Sequence, residues 1–163
     1  MNNKKLMQVV GLLAVVALLA AALPVSPVKA AATLCVGPTT EGCYATIAGA
    51  VSAASAGDTI YIKAGTYNET ISTDKQLNII GEVNEAGKPL PVIIGTLSAS
   101  GLTGKTWSIE NLKFLDSGGD SISLTDGGNL TVSNCTFDGA NLFLSGHRAI
   151  QASGSNQLTV ENS

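Results

Sequence analysis

Arginine and histidine occur once each in the 163 residues, as Arg148 and His147, and aromatic side chains make up only 4 % of the chain. Nine lysines and arginines stand against twelve acids, a net charge of −3, so the positive field that attracts nucleic acid is missing and no nucleic-acid partner is expected. The lone histidine is the one side chain whose ordinary pKa lies near neutrality. Long apolar runs are lacking as well. Val9–Leu23 is shorter than the roughly 18 residues of a membrane span, and Pro24 and Pro27 break a helix just beyond it.

What the N-terminus does contain is a secretory signal pattern. Lys4 and Lys5 precede the apolar run, and Val28-Lys29-Ala30 supplies small residues for cleavage, so residues 1–30 are expected to be removed on export and to leave no stable membrane span. Three bases leave with that segment and no acid does, which leaves six bases against twelve acids and a charge of −6. Such a chain repels an acidic polysaccharide at long range unless a local basic patch or a bridging Ca²⁺ intervenes. Cys35 and Cys43 flank a Gly/Pro/Thr-rich loop in a leader over 31–45, and in an oxidising compartment they are expected to pair. Cys135 lies within a strand pattern and reads as a small buried residue.

Thr46 is suited to N-cap a helix whose apolar residues Ile47, Ala50, Val51 and Ala54 fall on one face, with Gly57 as its stop. Short β segments follow: Ile60 and Ile62 alternate with polar neighbours, then come Tyr67–Ile71 and Leu77–Ile80. Thr46, Ile47, Ala50, Val51, Ala53, Ala54, Gly57 to Ile60, Gly65 to Tyr67, Glu69 and Ile71, continued by Leu77, Ile79 and Gly81, form a pattern. It resembles the cap and first coil of right-handed parallel β-helix proteins, the pectin-lyase-like family. The resemblance implies an all-β fold, a right-handed parallel β-helix solenoid with an N-terminal capping α-helix over 46–163. It does not fix an activity, because such folds serve lyases, esterases, hydrolases, adhesins and passive surface proteins.

Downstream, apolar-x-apolar-x-Asn-x-x-Phe recurs at Trp107–Phe114 and Leu130–Phe137 and begins again at Leu158. Asn111, Asn134 and Asn162 stand 23 and 28 residues apart, a solenoid spacing. Coils stacked about 4.8 Å apart would set Ile109, Val132 and Val160 in one inward column, Phe114 over Phe137 in another, and the asparagines in a ladder at a bend. The extra five residues of the later interval lie in Asp138–Arg148, which holds both His147 and Arg148. Between the first coil and the repeat, Glu85–Pro91 reads as a turn-rich excursion, Val92–Ile94 as a strand and Ser98–Lys105 as a polar loop, for four or five coils in all. The pattern stops mid-strand at Ser163, so the expectation is an N-terminal piece of a longer β-helix with an open last coil able to self-associate.

Gly65-Thr-Tyr-Asn-Glu69 matches the G-x-Y-x-E motif of pectin methylesterases, but the later aspartate and glutamine motifs of those enzymes are absent, so Gly65 and Tyr67 read as turn and packing residues. Glycoside hydrolysis needs paired carboxylates. Asp116, Asp120, Asp126 and Asp138 all sit beside glycine or serine, the chemistry of turns. Asp116 and Asp120 are the pair that would take Ca²⁺, while no cofactor is required. His147, Arg148 and Asp138 are the weak catalytic candidates, without a complete constellation around them. Trp107 reads as a column residue before a sugar platform.

The expected function is that of a secreted or cell-surface β-helix protein, a carbohydrate-binding or surface scaffold module with no complete active site in this chain, for which a polysaccharide or cell-surface glycan is the candidate partner. Two alternatives stand: a polysaccharide lyase or glycoside hydrolase with catalytic coils beyond Ser163, and an adhesin-type structural solenoid.

Overall fold

The computed structural model of the chain describes residues 29–38, 41–115, 118–139, 148–154 and 157–163. The chain divides into Met1–Ala30 and Ala31–Ser163, and every described element lies in the second unit. The expected signal segment lies almost wholly outside the described residues, as do Asp116, His147 and most of the expected insertion. Among the described residues no helix is long and apolar enough to cross a membrane.

Strand β1 (Thr33–Val36) and helix α1 (Ile47–Ala53) precede four coils of three strands each. The coils are β2 (Thr59–Ile62), β3 (Gly65–Asn68) and β4 (Ile71–Thr73); β5 (Asn78–Gly81), β6 (Pro91–Ile94) and β7 (Leu97–Ser100); β8 (Thr106–Glu110), β9 (Lys113–Leu115) and β10 (Ile122–Thr125); and β11 (Asn129–Ser133), β12 (Thr136–Asp138) and β13 (Ile150–Ala152). β14 (Leu158–Glu161) starts a further layer. β1 pairs in parallel with β2, and from β2 onward strands three places apart pair in parallel, which makes a six-stranded sheet, β1-β2-β5-β8-β11-β14, and two four-stranded sheets, β3-β6-β9-β12 and β4-β7-β10-β13. Below they are sheets A, B and C.

Period-2 alternation drives this arrangement, since one residue in two must point into a narrow interior. In sheet A the register stacks Leu34, Ile60, Ile79, Ile109, Val132 and Val160. In sheet B it stacks Tyr67, Ile93, Phe114 and Phe137, with the two phenylalanine rings nearly parallel and 5.1 Å apart. In sheet C it stacks Ile71, Leu97, Ile122 and Ile150. Each fully buried aliphatic side chain in such a column contributes about 1.5–3 kcal/mol. Trp107 is completely buried among them, as its place in the column predicts.

Three readings of chain boundaries need correction. Tyr67–Ile71 is not one segment but two strands, because Glu69 and Thr70 turn the chain from sheet B to sheet C. Ser98–Lys105 is not all loop: Leu97 and Ala99 face inward from β7, which pairs on both sides, and its small polar outward residues hide that alternation. Helix α1 ends at Ala53, well before Gly57, since Ala54 already has extended backbone.

The cap is fastened by charge at both ends. Thr46 accepts from the Gly49 N–H at 3.1 Å, and the Glu69 carboxylate accepts from the Ile47 and Ala48 N–H groups, each at 3.0 Å. At the other end the Lys75 ammonium donates to the carbonyls of Val51, Ser52 and Ala54 at 2.9, 2.9 and 2.8 Å. An acid at the N-terminus and a base at the C-terminus of a helix both complement its dipole. Buried Asp58 accepts from Ala32 and Ser55 N–H groups and so ties β1 to the turn after the helix. The Cys35–Cys43 disulfide is formed and closes the short loop before α1, a closure of this length contributing about 2–3 kcal/mol.

Candidate functional site

The bend from sheet A to sheet B is where the asparagines sit. Asn111, Asn134 and Asn162 all have left-handed backbone, with φ of 59°, 47° and 51°, a conformation that asparagine tolerates better than other side chains with a β-carbon. Asn134 Nδ2 donates to Asn111 Oδ1 at 2.8 Å, so neighbouring coils are joined by side chain as well as by strand. Gly81 occupies the preceding layer because a β-carbon there would collide with the Asn111 carbonyl as the chain turns over it.

The opposite corner, from sheet C to sheet A, is built from glycine. Gly104, Asp126, Gly127, Gly128 and Gly154 all have positive φ, so successive turns lie over one another with little side chain between them. A β-carbon at Gly127 would stand 2.6 Å from the Thr103 hydroxyl, and one at Gly128 would stand 2.7 Å from the Leu102 carbonyl oxygen. Because these turns carry no bulk, a groove of about 390 Å³ opens along the corner, lined chiefly by Thr103, Asp126, Gly127, Gly128 and Asn129. Thr103 donates to the Asp126 carbonyl at 3.2 Å, and Asn129 Oδ1 accepts from the Gln157 N–H at 3.3 Å. That bond uses the oxygen of Asn129 and leaves its NH₂ group as the donor, and the exposed Asp126 lines the same groove. A carboxylate acceptor and an amide donor in one groove are complementary to hydroxyl groups. The sequence reading placed Asp126 in a turn, which is where it is, but gave no hint that stacked glycines would hollow the corner around it.

The remaining candidates occupy separate places. Asp120 Oδ1 accepts from the Arg148 main-chain N–H at 3.0 Å, and the Asp120 carbonyl accepts from the Thr96 hydroxyl, so the Asp120 carboxylate meets the main chain of Arg148, not its guanidinium, as a link between the third and fourth coils. The Arg148 side chain is exposed. Asp138 is the last residue of β12 and pairs with Lys113 at 2.6 Å; here the expected turn is a strand end, because Phe137 beside it continues the sheet B column. Asp116 and His147 lie outside the described residues. Among the described residues no group of three or more His, Cys, Asp or Glu side chains converges to hold a metal ion.

Gly65-Thr-Tyr-Asn-Glu69 has structural work. Tyr67 is buried and donates from its hydroxyl to the Lys63 carbonyl at 2.9 Å, with burial first and then the charges of Glu69 and Glu82 holding its pKa above the usual value. Glu69 is the helix cap described above, a role the sequence reading missed although α1 has no acid in its own first turn. Cys135 is buried, with its thiol pushed up to about 11 chiefly by desolvation, so it is not a nucleophile at neutral pH.

Comparison with known proteins agrees with this architecture. Residues 98–163 match a family described as the right handed beta helix region. No curated protein and no solved structure gives a significant match. The chain is thus a parallel β-helix protein by fold, and its residues 98–163 carry the match to the right handed beta helix region.

Proposed function

We propose that this chain is a non-catalytic carbohydrate-binding module, exported and presented outside the cell, whose β-helix is a scaffold for grooves at its corners. The observation that carries the reading is the corner groove, about 390 Å³ with one carboxylate, one carboxamide and one hydroxyl on a glycine floor. That volume lies within the range of small-ligand sites. Hydrolysis of a glycosidic bond uses two carboxyl groups, and Asp126 is the single acid among the described residues that line the groove. Sugar hydroxyls can satisfy such a lining without any group being deprotonated.

The test is a titration of the ¹⁵N-labelled full chain with neutral mono- and disaccharides. Binding is expected to shift the amides of Thr103, Gly127 and Gly128, and Asp126→Ala to abolish those shifts. A saccharide-binding protein whose shifts fall elsewhere, or one that releases new reducing ends from polysaccharide, would overturn the reading.

A further inference from the structure

The excursion between β5 and β6 is a built structure. An antiparallel bridge joins Val83 to Pro89, and Asn84 Oδ1 accepts from the Ala86 and Lys88 N–H groups at 3.0 and 2.9 Å. Its tip leans across the solenoid, because Asn134 Nδ2, besides reaching Asn111, donates to the Gly87 carbonyl at 2.8 Å over 47 residues of sequence. A segment of the second coil is thereby held against the fourth.

Under this arm lies a cleft of about 440 Å³, with Lys88 and Pro89 from the arm, Lys113 and Thr136 side by side on sheet B, and Asn134 between them. Among the described residues that line it there is no acid. Two other lysines are committed elsewhere: Lys63 faces Glu82 at 3.7 Å and Lys75 caps the helix. Lys113 is steadied by Asp138, yet an ammonium has three donors and that pair occupies one direction. Asp138 offsets the charge of Lys113, and Lys88 adds a second ammonium, so on a chain of net charge −3 the cleft is left locally positive by one charge.

We propose that this cleft binds the oxyanion of an acidic saccharide, a carboxylate or sulfate on the sugar, with Lys88 and Lys113 as its charged contacts and Thr136 as a hydroxyl donor. Asn134 is the positioning residue, since it holds the wall that carries Lys88. The cleft and the corner groove use different residues, so this inference does not rest on the preceding one. It supplies the local basic patch that an acidic chain needs to receive an acidic sugar.

D-glucuronate, D-glucose 6-sulfate, D-glucose and sodium sulfate are titrated separately into the ¹⁵N-labelled full chain. Either acidic sugar is expected to shift the amides of Lys88, Lys113 and Thr136, with glucose leaving them unmoved and free sulfate binding more weakly than the sulfated sugar. Lys88→Gln, at an exposed position where folding is not at stake, should weaken the acidic sugar about tenfold, the loss of one charge-assisted hydrogen bond. Unmoved amides with both acidic sugars, equal shifts with glucose, free sulfate binding as tightly as the sulfated sugar, or Lys88→Gln binding within twofold of the parent would each overturn the proposal. The corner groove is read in the same spectra at Gly127 and Gly128, so one site can fail while the other stands.

Discussion

Lys75→Met is the most informative single change, because it removes one charge and keeps most of the stem. The ammonium serves three carbonyls at the end of a seven-residue helix, a length far below the roughly 12–15 residues that hold together alone. One hydrogen bond to a charged group is worth about 1.5–3 kcal/mol, and for a half-exposed lysine sharing its charge over three acceptors we take a single such bond, about 2 kcal/mol. Glu69→Gln, at the other end, should cost a similar amount. Because either change releases the same short helix, the double variant should cost about 2–3 kcal/mol and not the sum of about 4. The assay is native-state hydrogen exchange at Ala54, whose N–H bonds the Ala50 carbonyl at 2.9 Å, and at Ala50, bonded to Thr46. Each single variant should speed exchange there by about 30-fold. Acceleration below threefold, or strict additivity in the double variant, would refute the idea that the cap is one unit clamped from both ends.

Three further outcomes follow from the packing and the shifted groups. Trp107 is fully buried and its Nε1 has no hydrogen-bond partner among the described residues, so Trp107→Phe should fall within about 1 kcal/mol of the parent in urea denaturation, while Trp107→Ala should cost about 3–5 kcal/mol. Cys135 has its thiol raised from 9.0 to about 11 in the folded chain, so the stability it contributes is complete below pH 9 and is lost as pH rises towards 11; Cys135→Ala should flatten that alkaline slope in pH-dependent melting. Gly81→Ala should destabilise by about 1–3 kcal/mol in the same urea assay, since the Asn111 turn must move to admit the methyl group.

The repeat from Trp107 onward was legible because its side chains are large and its asparagines mark the bends. Ile109, Val132 and Val160 share one register and Phe114 stacks on Phe137 where their spacing put them. β7 escaped notice because Leu-Ser-Ala-Ser buries only one bulky residue, and the pairing that makes it a strand comes from coils 25 or 26 residues away. The helix clamps were illegible for a related reason. Glu69 and Lys75 reach α1 across 22 and 24 residues, and no local pattern marks an acid or a base as a partner for a distant main chain. The two grooves lay further still from sequence reasoning, since one is the space left by stacked glycines and the other the space enclosed by an arm leaning over two coils.

That arm has a consequence for the order of assembly. Strand pairing in sheet A joins residues 19 to 30 positions apart, so each coil can form once its predecessor is in place, beginning from a cap whose clamps, Glu69 and Lys75, both lie within the first coil or just after it. The Gly87–Asn134 contact spans 47 residues and waits for the fourth coil. The lysine cleft therefore closes late: a partly wound solenoid has the arm but nothing for it to lean on, and only a molecule wound through Thr136 presents Lys88 to Lys113 across a completed wall.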